Sequence, residues 1–390
     1  MCVQIESVIE SYFLAKSGFT LNRLMEKLLR VLHFVTGGFS GATKVAIDLV
    51  EAHNQIESTE NLLVLRRKKT TVPEKLAELE DKGIDYKVIT GTTHLATVHE
   101  LKKLCEQWRP DILVAHGFPE HLLGRRAGLL AQIPCLVQVE HNSKERYTPW
   151  KLYQTRKLSK STARIVAVSE GVAQVLSEQD LKAPIQAISN GIDTTRFGGV
   201  NLAPVNERSH DLIMVGRYAK SKDHVTLIEA LNQLKKKGIN PTLTLVGSGR
   251  KRYQKEVHDL VARYELHEQV TFIEYSSEVE RLLLQHKVFV MSSRFEGLNL
   301  AVLEAMASAC VVIGSRAVGV EELIEDKKDG FLFQIGDANA LADIIEFVLF
   351  NPAYYQSLAV AAREKVLDQY DKKQVTQAYY QLFQNLLTSC

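Results

Sequence analysis

The chain has 390 residues, more than one hydrophobic core usually supports, since cores stop growing at roughly 250 to 300 residues; two domains are expected. With 45% hydrophobic and 24% charged residues it has the composition of a soluble globular protein, and its formal net charge of +2 argues against nucleic acid as a partner. No run reaches the roughly 18 apolar residues of a spanning helix, and five cysteines without C-x-x-C spacing suit a reducing, cytoplasmic setting.

At the start, Val3, Ile5, Val8, Ile9, Tyr12 and Phe13 recur at helical spacing, so residues 1–24 read as a helical extension, with Met25 an alternative start. From Leu28 short β-branched runs alternate with amphipathic segments. Strands are predicted at 29–35, 61–65, 86–89, 112–115, 135–139 and 165–167, and 44–53 is the first helix. After the polar stretch 201–210 a second series follows, with strands at 211–215, 242–246, 270–273, 288–291 and 310–314. The alternation predicts an α/β chain of two Rossmann-like halves, 25–198 and 199–366, with a closing helix at 367–390 packing back on the first half. Ligands in such sheets sit at the carboxyl ends of the strands, so the cleft between the halves is the expected site.

The segment 288–308 runs from a buried strand through a turn containing Gly297 into a helix. A helix start offers unpaired N–H groups and the positive end of the dipole, which suits a diphosphate on the amides of Gly297, Leu298, Asn299 and Leu300. Glu296 stands at the turn and Glu304 about two turns into the helix, so the carboxylates have different tasks: Glu304 suits a ribose diol and Glu296 sugar hydroxyls. Taken alone, the pair reads equally well as two solvated acids near a helix start. The E-x7-E spacing, ending in Glu-Ala-Met-Ala, resembles the signature of the retaining glycosyltransferases of family 4, which have the GT-B fold.

That resemblance covers residues 29 to about 370 and implies two Rossmann-like domains facing across a donor/acceptor cleft. The chain is then expected to move a sugar from a nucleotide-diphosphate donor, UDP-linked among the candidates, to a glycan or lipid-linked acceptor in cell-surface polysaccharide or lipopolysaccharide synthesis. Arg217 and Lys222, after the strand 211–215, match the family's G-R-x4-K motif and supply cations for the departing nucleotide. No Asp-x-Asp pair occurs, so neither a metal nor a cofactor is expected.

In the first half, Gly37 and Gly38 belong to a loop resembling the family's glycine-rich loop and are expected to let backbone approach the donor. His116 ends the strand 112–115, where the family places a histidine that contacts the donor sugar, and His141 is a second candidate on the acceptor side. The segment Asn190-Gly-Ile-Asp193 reads as a structural turn, and Gly319-Val-Glu-Glu322 matches a family loop imperfectly. Between Lys144 and Arg164 seven basic residues face a single acid, which is compatible with attachment to the inner membrane surface or with a solvated helical face. Two rival functions share these features: a sugar-nucleotide epimerase on the same scaffold, and a non-catalytic partner subunit that binds the sugar nucleotide.

Overall fold

In the computed structural model, residues 28–388 are described apart from 40, 145–146 and 198–201; the expected extension at 1–24 lies outside the described residues. The first sheet holds seven parallel strands: β1 (Leu29–Thr36), β2 (Thr59–Arg66), β3 (Tyr86–Ile89), β4 (Ile112–His116), β5 (Cys135–Glu140), β6 (Arg164–Ala167) and β7 (Ile185–Ala187). Their spatial order is β3-β2-β1-β4-β5-β6-β7. Helices α1 (Gly41–His53), α2 (Pro73–Asp81), α3 (His94–Trp108), α4 (Glu120–Leu130), α5 (Pro149–Ser159) and α6 (Glu170–Ser177) make the crossovers. A parallel sheet covered on both faces needs strands that are apolar throughout, and β1 and β4 are buried along nearly their whole length.

The second sheet has six parallel strands in the order β10-β9-β8-β11-β12-β13. They are β8 (His210–Val215), β9 (Leu243–Val246), β10 (Val270–Ile273), β11 (His286–Met291), β12 (Val311–Ser315) and β13 (Phe331–Phe333). Its helices are α7 (His224–Lys236), α8 (Lys251–Arg263), α9 (Val279–Gln285), α10 (Leu300–Ala307), α11 (Ala338–Phe350) and α12 (Pro352–Gln369). In both sheets the order reverses at the first strand, which opens a crevice at that edge's carboxyl end. The two crevices face one another across the interdomain cleft.

The last helix, α13 (Lys372–Leu387), lies against the first domain: His53 Nε2 is 2.9 Å from the Thr376 carbonyl, and Phe383 meets the rings of His33 and His53 edge-on. The break before it falls at Tyr370–Asp371 rather than at the expected 366, because α12 runs on to Gln369 and the Asp371 side chain caps α13 through the Lys373 N–H. The chain thus passes between the domains twice, and the two passages are paired: Ile192 N donates to the Tyr370 carbonyl at 2.9 Å and Lys372 N to the Ile192 carbonyl at 2.8 Å. These bonds make one two-stranded strap between the domains.

Candidate functional site

A cleft of about 600 Å³ lies between the domains, lined on the second-domain side by the turns after β8 and β11 and by the start of α10. The two turns are stitched together: Ser292 Oγ donates to the carbonyls of Lys222 (3.2 Å) and Asp223 (2.9 Å), and Arg294 N donates to the Ser221 carbonyl at 2.7 Å. Sequence motifs some 70 residues apart therefore meet at one wall. Lys222 Nζ stands 3.0 Å from Glu296 Oε1, and Ser293 Oγ donates to the same oxygen at 2.7 Å. Arg217 is exposed on the same wall and has no ion pair among the described residues. One cation is thus internally balanced and the other is open to an anion.

The helix start corrects two expectations. The Asn299 side chain caps α10, accepting from the N–H groups of Ala301 (3.1 Å) and Val302 (3.4 Å), while its own backbone N–H donates to the Gly319 carbonyl at 3.1 Å. The Asn299 backbone amide is therefore occupied, leaving only its buried side-chain Nδ2 without a partner, and the anion-facing backbone amides reduce to Gly297, Leu298 and Leu300, which donate to no other described residue. Because α10 begins only at Leu300, Glu304 lies one turn in rather than two. It meets Lys44 of α1 across the cleft, Nζ to Oε1 3.1 Å. Beyond Glu304 a second cavity of about 490 Å³ opens, bordered by Phe39, Lys44, Tyr275 and the strap.

Gly297 is required by the opposite wall. A Cβ placed there would stand 2.1 Å from the His141 carbonyl oxygen, closer than any real contact. The walls also join through Ser143 N to the Glu296 carbonyl (3.2 Å) and Ser169 Oγ to the Gly297 carbonyl (3.1 Å). Glu322, whose role the sequence left open, reaches across from the second domain. Its two oxygens accept the N–H groups of Glu170 (2.9 Å) and Gly171 (3.0 Å) at the start of α6, a favourable place for a carboxylate.

The first-domain wall departs from expectation at two places. Gly37 turns away from the cleft: its N–H donates to the Arg66 carbonyl at 2.8 Å and its carbonyl accepts from Thr71 Oγ1 at 2.7 Å, so the loop is tied to the end of β2. Neither Gly37 nor Gly38 lines the cleft; Thr36, Phe39, Ala42 and Lys44 of the same segment do. His116 is buried, and both ring nitrogens are engaged, Nε2 with His33 Nδ1 at 3.1 Å and Nδ1 with His141 Nε2 at 3.3 Å. A ring held from both sides has no nitrogen left for a sugar, and His141 is the outermost of the three imidazoles.

The rings are stacked, with centroids 5.3 and 5.5 Å apart. Burial holds all three neutral, pushing His33 and His141 down to about 3 and His116 well below the usual histidine range. His33 escaped sequence reasoning because it sits within an apolar strand run. Asn190 was read as part of a turn; it also lines the cleft, with its buried Oδ1 lacking a partner in the structure.

Residues 203–365 match the family described as glycosyl transferases group 1, and residues 77–196 match glycosyltransferase family 4. Over 364 residues the chain is 26% identical to the lipopolysaccharide core biosynthesis glycosyltransferase LpsE of Rhizobium meliloti (strain 1021), spanning 91% of this chain and 98% of that protein. It is 26% identical over 295 residues to the UDP-Gal:alpha-D-GlcNAc-diphosphoundecaprenol alpha-1,3-galactosyltransferase of Escherichia coli, spanning 68% and 75%. The crystal structure of Anabaena Alr3699/HepE in complex with UDP and glucose shares the fold, with a TM-score of 0.80 at 20% identity over 92% of this chain and all of that one.

Proposed function

We propose a reaction on the premise that the chain belongs to the glycosyltransferases of family 4, a GT-B enzyme of two Rossmann-like domains. It moves a sugar from a nucleotide-diphosphate donor to a glycan or lipid-linked acceptor, with retention at the anomeric carbon and without a metal, in the synthesis of a cell-surface polysaccharide or lipopolysaccharide. The observation that carries the reading is the second-domain wall. An open guanidinium (Arg217), a lysine (Lys222) and the free amides of Gly297, Leu298 and Leu300 converge where a diphosphate has to be neutralised as it leaves.

Glu304 accepts the ribose diol once Lys44 swings away, and Glu296 meets the hydroxyls of the transferred sugar. The acceptor hydroxyl passes its proton to the departing phosphate on the face where the new bond forms, so the protein positions and stabilises charge. UDP as carrier is supported by the E. coli relative named for UDP-Gal and by the Anabaena protein crystallised with UDP. The acceptor side extends to α5, where Trp150 and Tyr153 are exposed beside Lys151, Arg156 and Lys157, a surface suited to an anionic leaflet. No helix among the described residues is long and apolar enough to cross a membrane.

The test is an incubation of the purified chain with a panel of nucleotide sugars and acceptor fractions, with and without EDTA, followed by anomeric assignment of the product. An inverted linkage or complete loss of turnover in EDTA would sink the retaining, metal-free reading. Epimerised donor formed without acceptor favours an epimerase, and stabilisation by the donor without any turnover favours a non-catalytic partner.

A further inference from the structure

The three imidazoles are joined head to tail, Nδ1 of one ring to Nε2 of the next, along His33, His116 and His141. A neutral imidazole carries one N–H and one bare nitrogen. If His33 Nδ1 donates, His116 Nε2 accepts; His116 then carries its proton on Nδ1 and donates to His141 Nε2, which leaves His141 with its proton on Nδ1. If His33 is instead protonated on Nε2, every step reverses and all three rings carry Nε2–H. The column has two states, and in each the rings share one tautomer.

The inner end is sealed. His33 is fully buried in β1 against Phe383 of α13, and its Nε2 has no partner in the structure. The outer end is open, since His141 lines the cleft and its Nδ1 has no hydrogen-bond partner among the described residues. A buried N–H without an acceptor is costlier than a bare nitrogen, so the sealed end selects the state with His33 protonated on Nδ1. We propose that His33 is a positioning residue that, through His116, leaves His141 Nδ1 offering the cleft a donor. A sugar or acceptor hydroxyl at that nitrogen is then held in one orientation rather than two. The wrong tautomer of an otherwise well-placed histidine is costly in catalysis, so the effect appears in turnover more than in donor binding. The neutrality that burial imposes on all three rings supports the scheme, because a doubly protonated member would break the head-to-tail order. This role rests on the transfer reading, whereas the shared tautomer does not.

Two readouts separate these. Histidine-selective 15N NMR of the full chain reports the protonated nitrogen of each ring; one common tautomer at positions 33, 116 and 141 is expected, and mixed tautomers overturn the proposal. His33→Phe keeps the ring and removes the link, so averaged tautomers at His116 and His141 are expected, with kcat down about tenfold or more and donor KM little changed. Unchanged tautomers or unchanged kcat in a folded His33→Phe chain overturn it. His33→Asn sets an amide near the place of Nδ1, keeps a partner for His116 and is expected to hold kcat within about threefold of the parent. A folded Asn variant as impaired as the Phe variant leaves only a packing role and overturns the proposal. Should the common tautomer be observed while no sugar is transferred, the column stands and the transfer reading falls.

Discussion

On the second-domain wall Lys222 and Glu296 face each other at 3.0 Å with Arg217 open beside them; on the first-domain wall His116 is stacked between two imidazoles held neutral by burial. The contrast follows from where charge has to appear. A departing diphosphate gains negative charge and is served by cations and amides that are already oriented. In the proposed reaction an anionic group on the acceptor side would compete for those same cations, whereas a neutral ring orients a hydroxyl without disturbing them. In the proposed reaction the ion pair holds Lys222 in place until the donor phosphate replaces Glu296 as its partner.

The largest effect expected from this contrast is on stability against pH. The folded rings of His33 and His141 have values lowered to about 3, whereas unfolded histidine titrates near 6.5. Below about pH 6.5 the unfolded chain binds protons that the folded column refuses, so unfolding free energy falls as pH falls, until the folded rings themselves titrate near pH 3. At pH 5 this amounts to about 2 kcal/mol for each such ring relative to pH 8. Urea midpoints at both pH values check it. The parent chain should lose more than a His33→Phe chain, and equal losses would show that His33 is not held neutral.

Next in size is Lys222→Ala, which removes the proposed phosphate counter-charge and strands Glu296 in a partly buried place. A fall of about 10²–10³ in kcat/KM is expected, the usual magnitude for losing one oriented charge-stabilising group. Steady-state rates at saturating acceptor decide it, and a rate within threefold of the parent would remove the charged wall from the chemistry. Glu322→Ala follows. It takes the carboxylate from the N–H groups of Glu170 and Gly171 and so weakens a contact between the walls by about 1–2 kcal/mol. A larger radius of gyration in solution scattering and a raised donor KM are expected. If neither changes, the remaining links (Ser143 to Glu296, Ser169 to Gly297, Lys44 to Glu304 and the strap) hold the walls without it.

Much of this contrast could be read from the sequence on one side only. The charged wall is legible because its members lie close along the chain: Arg217 and Lys222 within one turn, Glu296 and Glu304 within eight residues. The neutral column joins residues 33, 116 and 141, which only the sheet order brings together, and a histidine inside an apolar run such as Leu29–Thr36 does not declare which face it serves. Pairings such as Lys44 with Glu304, or Glu322 with the start of α6, span still longer separations. Strand positions were recovered to within one or two residues because doubly covered strands are continuous apolar runs. The exceptions are β7 and β13, three residues each and at sheet edges, too short to make such a run.

The smallest expected effect concerns Asn299, where the sequence suggested an amide facing phosphate. Its N–H is given to the Gly319 carbonyl and its Oδ1 to the first turn of α10, so the side chain serves the helix start, while its buried Nδ2 has no partner in the structure. Replacing a capping Asn by Ala costs about 1 kcal/mol, whereas Gly costs only a few tenths because its backbone leaves the helix start accessible to water. Asn299→Ala should therefore lower the melting temperature measurably more than Asn299→Gly, and thermal unfolding of the two chains side by side measures the difference. Donor KM should stay near the parent value in both, since the Gly297, Leu298 and Leu300 amides are untouched. A donor KM that rises in Asn299→Gly while its melting temperature holds would place the side chain itself against the donor and return Asn299 to the binding wall.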